Sequence, residues 1–191
     1  MTYDIIRRLE NLIRIGTVAS VDHTTARCVV DCVGIITAPL PWLTTRAGTD
    51  TTWDAPTVGE QVLVFAPSGE MMQAVVLMGV YHDDRPAPSQ SASVKTRHFE
   101  DGCTITYDTQ AHALSAILPA GGTATISADG GITINAKDGA TINASGGVTI
   151  NGDTKVNGSI EATGDVVAGS ISLQKHKHRE QGDGAMTSGA M

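Results

Sequence analysis

The sequence predicts a mainly β protein: a small N-terminal barrel followed by a long β-repeat that closes on copies of itself. Three observations carry this. Residues 123–152, TATISADGGITINAKDGATINASGGVTING, repeat with a fixed period, their Thr-Ile pairs at 125/126, 133/134, 141/142 and 149/150 each falling eight residues after the last. All seven aromatic residues lie at or before Tyr107, so the composition changes abruptly there. Between Gly16 and Tyr81 the chain is a succession of short Val/Ile-rich runs separated by turn formers, the pattern of half-buried strands.

The elements follow in chain order. Residues 1–15 are expected to hold a helix, because TYDIIRRLENLIR sets Ile5, Ile6, Leu9, Leu12 and Ile13 on one helical face. Residues 16–82 form the barrel: GTVASVD, ARCVVDCVG, EQVLVFAP and QAVVLMGVY read as strands, with turns at Asp22-His23 and Pro67-Ser68-Gly69. Four or five strands in about 65 residues match the size of an OB-fold. The Pro/Ser-rich 83–97 is a linker. Residues 98–122 read as a β-meander with Asp-Gly and Thr-Gln-Ala turns, connecting barrel and repeat. The repeat occupies 123–174, and 175–191 holds KHKHRE and a tail rich in turn formers that is expected to be mobile.

Eight is even, so a strand-like chain keeps the same face from one unit to the next. Even positions from Ala124 to Ile150 are Ala, Ile, Val or Gly except for Asp138, which sits at the turn phase of Gly130 and Gly146; odd positions are Thr, Ser, Asn, Asp, Lys or Gly. Each unit is therefore expected to be a short strand and a tight turn. The stripe is thin, and nothing in the last 84 residues supplies aromatic cover. Closure on copies of the chain around a symmetry axis would cover it and leave no open sheet edge. A flexible linker does not hold strict alternation for about 28 residues. A single-chain solenoid is the remaining alternative; its coils usually carry longer strands around a fuller core, which favours the intertwined oligomer.

The formal net charge of −7 argues against a general nucleic-acid binder. No stretch approaches the roughly 18 apolar residues of a membrane span, and Arg7, Arg8 and Glu10 interrupt any secretory leader core. Folding in a reducing cytoplasm is the expectation, with Cys28, Cys32 and Cys103 as buried small hydrophobes. The chain is expected not to be an enzyme. It has no P-loop, GxSxG, HExxH or CxxC pattern. Ser68 lies in a turn, Asp83-Asp84 opens the linker, and His23, His82, His98 and His112 are scattered.

One cluster stands out. His176 and His178 are two apart, so on a strand both rings point the same way. Alone they are a weak ligand set or an exposed basic tail. Around a three-fold axis they make six imidazoles, a full octahedral shell for a first-row transition metal. The apolar phase slips near Gly169, since Ile171 and Leu173 are at odd positions, and the histidines need a second slip to face the axis.

The order of parts resembles a known family, baseplate assembly protein V, the central tail spike of contractile-tail phages and R-type pyocins. The matching stretches are LIRIGTV, ARCVV, WLTTRAG (42–48), WDAPTVGEQVLV (53–64), SGEMMQAVVLMGVY (68–81), FEDGCTITYD (99–108), the repeat and the terminal HKH. The resemblance implies a homotrimer with an OB-fold domain, a trimeric intertwined triple-stranded β-helix and a metal-bound apex. There His176 and His178 of each chain would bind iron, one ion per trimer with six histidine ligands. It implies a non-enzymatic spike in the virion tail baseplate or a pyocin particle, made in the host cytoplasm. Its partners would be baseplate hub and tail-tube proteins and the host outer membrane, with no nucleic acid. A trimeric receptor-binding tail fibre tip is the alternative role. A tail-borne hydrolase is disfavoured because no domain-sized insertion lies between Tyr81 and Thr123.

Overall fold

The computed structural model describes residues 2–179 together with Gly182 and Met186. It divides into two compact units, 1–126 and 127–191.

In the first unit, α1 (Thr2–Asn11) leads into β1 (Ile13–Asp22), β2 (Arg27–Asp31), β3 (Gln61–Phe65) and β4 (Val75–Val80). The sheet is antiparallel in the order β2-β1-β3-β4. Its two outer strands are joined by the segment around Leu40. Cys28 and Leu40 exchange backbone hydrogen bonds at 2.9 and 2.8 Å, while the Val76 N–H donates to the Pro41 carbonyl and the Val76 carbonyl accepts the Leu43 N–H. The segment thereby closes the sheet into a barrel and removes its open edges. Pro39 and Pro41 lack N–H donors, which is why it makes isolated bridges rather than a full strand.

The core is aliphatic and small. Val18, Cys28, Val30, Cys32, Leu40, Val62, Val64, Ala66, Ala74 and Val76 are buried. β2 and β3 alternate buried and half-buried positions, as period-2 patterning requires. Asn11 and Thr37 are the buried polar residues among those described, and both are partnered: Asn11 Oδ1 accepts from Arg14 Nε at 2.9 Å, while Thr37 Oγ1 accepts the Val30 N–H at 3.0 Å and the Thr37 N–H donates to the Val30 carbonyl. Cys28 and Cys32 are buried free thiols whose pKa values burial pushes up, as expected of packing residues. Cys103 differs from expectation: it is only half-buried, in the loop where Asp101 Oδ1 accepts its N–H.

The helix is shorter than its apolar spacing suggested. Ile13 leaves the helical face and pairs with Phe65 in β1, because Ile13-Arg14-Ile15 also fits strand alternation and β3 offers a ladder. The helix docks on the turn Pro67–Gly69 through Gly69, whose φ of +73° and lack of Cβ let it press against the Arg8 backbone. An Arg8–Glu70 ion pair at 3.3 Å spans the same junction.

A second sheet within this unit is the meander β5 (Val94–His98), β6 (Thr104–Asp108) and β7 (Ala113–Ile117), antiparallel in chain order. β5 lies partly inside the stretch expected to be linker; its polar VKTRH hides the alternation, yet it pairs with β6 through five positions and a Thr96–Thr106 hydroxyl bond of 2.7 Å. Arg97 reaches Asp54 at 2.6 Å, tying the meander to the loop after the barrel's closing segment. Every residue of β7 is exposed.

The second unit carries the repeat. The eight-residue period reappears in the backbone as positive φ at Gly131, Gly139 and Gly147. Turns close there by the Gly139 N–H to Ala136 and the Gly147 N–H to Ala144. The strands expected between these turns do not form within one chain: among the described residues, 123–166 contain no strand. A strand needs a paired neighbour, and among the described residues no other segment of the chain supplies one. Ile126, Ile134, Ile142 and Ile150 stand 78, 80, 75 and 64% exposed. The phase slip near Gly169 has a concrete cause. β8 (Val167–Ala168) and β9 (Ile171–Ser172) form a hairpin whose two-residue turn is Gly169-Ser170, with Gly169 at φ +61°. Apart from Gly182 and Met186, the tail expected to be mobile lies outside the described residues.

Candidate metal-binding apex

The residues singled out as ligands sit just beyond this hairpin. The Leu173 N–H donates to Val166 at 2.9 Å, extending the pairing by one bond. The chain then turns through 173–175 instead of continuing as a strand. This turn is the second interruption of the alternation, and it corrects the simple picture of two histidines side by side on a strand.

Asp165 and Ser172 build the turn. Asp165 Oδ1 accepts the Gln174 N–H at 3.1 Å, and Ser172 Oγ accepts the Lys175 N–H at 2.9 Å. A hydrogen bond from the Ser172 side chain, then that from the Gln174 amide, holds the Asp165 carboxyl below its ordinary range. The Ser172 carbonyl accepts the His176 N–H at 3.0 Å.

The His176 ring is oriented by the same turn. Its Nδ1 lies 3.0 Å from the Ser172 carbonyl oxygen and 3.1 Å from that of Leu173. Carbonyls only accept, so Nδ1 is the donor, and in the neutral ring Nε2 is the nitrogen left to ligate. A metal-ligating imidazole has this form, with the second nitrogen donating to a carbonyl or carboxylate. The rings of His176 and His178 lie 5.1 Å apart at 86°, edge to face. His176 is half-buried and His178 exposed. The donor set fits a transition metal at His176, and two imidazoles per chain would still leave a site to be completed by other chains.

Asp165 and Ser172 were not picked out from the sequence. The available signal was the Gly-Ser turn pair lying between an Asp and a Ser seven residues apart.

In the first unit, a cleft of about 530 Å³ is lined by Leu43, Trp53, Asp54, Met78 and Arg97. Its polar groups are largely engaged with each other, Arg97 with Asp54 and the Thr44 hydroxyl with that of Thr52 at 2.6 Å. Trp53 packs edge-on against Trp42 with centroids 5.6 Å apart.

The barrel defines the class. Residues 14–81 match the injector OB domain of type VI secretion systems and phage baseplates, in close agreement with the barrel limits read from the strands. The chain is 44% identical over 124 residues to the spike protein of Escherichia phage P2, covering 64% of this chain and 59% of that protein. The chain thus spans about three-fifths of the length of the relative it matches. Both findings support a baseplate spike protein, the family that the sequence resembles.

Proposed function

We propose that this chain is the central spike at the tip of a contractile phage or pyocin tail, driven through the host outer membrane when the sheath contracts. Relatedness to a phage spike supports the tail role. The observation that carries the mechanical reading is the repeat: a row of exposed isoleucines, eight residues apart, on a segment with no ladder of its own. Three copies wound into a triple-stranded β-helix would bury that row on the axis and pair every edge. The exposed β7 and its Leu114 and Ile117 would find cover in the same assembly.

Such a spike is narrow because its inward residues are Ile, Val and Ala, and it resists peeling because it has no open edge. Its outward Thr, Asn, Ser and Asp stay hydrated until the strike. At the apex, His176 and His178 of three chains would hold one iron ion in six-fold coordination. Metal bound there pins chain ends that otherwise fray, since binding free energy becomes folding free energy. The role is structural, not enzymatic. The barrel and meander would dock the spike on hub and tail-tube proteins in the baseplate, with the outer membrane as the final partner.

Two measurements test this. Purified trimer should contain one metal equivalent, and replacing both histidines by alanine should remove it while the trimer persists; less than about one-tenth of an equivalent with an ordered apex would overturn the iron assignment. Contracted particles labelled with an antibody to residues 127–179 should carry the label inside the outer membrane. Label confined to the cell surface, with saturable binding to a defined envelope glycan, would identify a receptor-binding fibre tip instead.

A further inference from the structure

The hairpin and turn around residues 165–176 make a small device distinct from the ligands themselves. The Asp165 carboxylate holds the turn at the Gln174 amide, 3.1 Å away. Ser172 then serves at both ends: its hydroxyl oxygen accepts the Lys175 N–H, and its carbonyl accepts both the His176 N–H and Nδ1–H. The two carbonyls that the His176 ring meets, those of Ser172 and Leu173, thus belong to the turn that Asp165 braces at Gln174. Residue 165 precedes β8 and the histidine follows β9, so the hairpin brings the two together across eleven positions of sequence.

We propose that Asp165, by bracing the Gln174 amide of this turn, is a positioning residue that holds His176 in the tautomer whose Nε2 presents its lone pair to a metal. This rests on the reading of a histidine-held apex, but its ring-orientation part concerns the protein without metal. A preset ring loses less freedom on coordination, and its Nδ1–H bond to a carbonyl raises the basicity of Nε2. Removing the carboxylate frees the turn and lets the ring leave the carbonyls.

The test uses the full chain with metal stripped by chelator at neutral pH. ¹⁵N spectra of the imidazoles, with His176 assigned by its loss in His176→Ala, should show the Nδ1–H tautomer in the parent protein. In Asp165→Ala that signal should shift to a tautomer mixture, and the affinity for cobalt(II), read from its visible absorption, should fall by about 10- to 100-fold. Asp165→Asn keeps an oxygen acceptor for the Gln174 amide and should restore most of both. Should Asp165→Ala fail to assemble, Ser172→Ala carries the same test, because it removes the hydroxyl that braces the turn by accepting the Lys175 N–H and keeps the carbonyl. Unchanged tautomer and cobalt affinity in a folded Asp165→Ala or Ser172→Ala protein would overturn the proposal. Correct tautomer behaviour in a protein that binds no metal would sink the metal reading and leave the ring-positioning claim standing.

Discussion

The barrel and the repeat use aliphatic residues in opposite ways. In the barrel, Val30, Val62, Val64 and Val76 are buried by strands of the same chain, and the Leu40 segment seals the sheet. In the repeat, isoleucines recurring every eight residues are exposed. Aliphatic character does not decide which residues are buried within the chain; the availability of a pairing partner does. A strand run that turns back at Asp22 and at Gly69 can meet itself, whereas one that steps forward every eight residues cannot. The lesson is that burial in the first region is an intrachain property, while in the second it would have to come from other chains.

That contrast can be broken from either side. The largest effect is expected from Ile142→Asp. With three copies meeting near one axis, unpaired charges would cost several kcal/mol each, so the trimer should fail to form while the barrel still folds. Size-exclusion with light scattering and far-UV circular dichroism would read the two outcomes separately. Leu40→Ala attacks the other region. It should cost about 2–5 kcal/mol of barrel stability and leave the association of the repeat untouched, as measured by chemical denaturation beside native mass spectrometry.

Smaller effects sharpen the picture within each unit. Gly69→Ala places a methyl group against the Arg8 backbone at a positive φ. It should loosen α1 from the barrel at a cost of about 1–3 kcal/mol, visible as faster amide exchange in residues 2–11 with little change in the sheet. At the apex, the Asp165 carboxyl is depressed in the folded state, so its stabilising effect is present above the ordinary carboxylate range. It is lost as pH falls through the lowered value. Exchange of the Gln174 amide should accelerate only in that acid window. A metal held at the proposed apex would be released on acidification, because protonated imidazole has no lone pair to donate.

Much of the first unit was legible in the sequence because its strands are short, alternating and punctuated by turn residues with specific chemistry. Asp22, for example, accepts the Thr24 N–H at 2.9 Å in the turn it marks. What escaped was decided by competition between partners. Ile13 fits a helical face and a strand equally, and the ladder with Phe65 settled it. The polar β5 became a strand only because β6 lay beside it. The closing segment carries two prolines and resembles a loop until its bonds to Cys28 and Val76 are counted. In the second unit the eight-residue period was plain, and so were His176 and His178 as a pair. The Asp165–Ser172 support was not, since it depends on a hairpin that only the phase slip at Gly169 announced.

The central claim is that the repeat becomes β-structure only between chains. Sedimentation equilibrium of the full chain at micromolar concentration, with amide exchange of residues 123–166 followed on the same sample, tests it most directly. A trimeric spike should show a mass three times that of the 19.8 kDa chain and slow exchange along the repeat. A folded monomer with a protected repeat would contradict it.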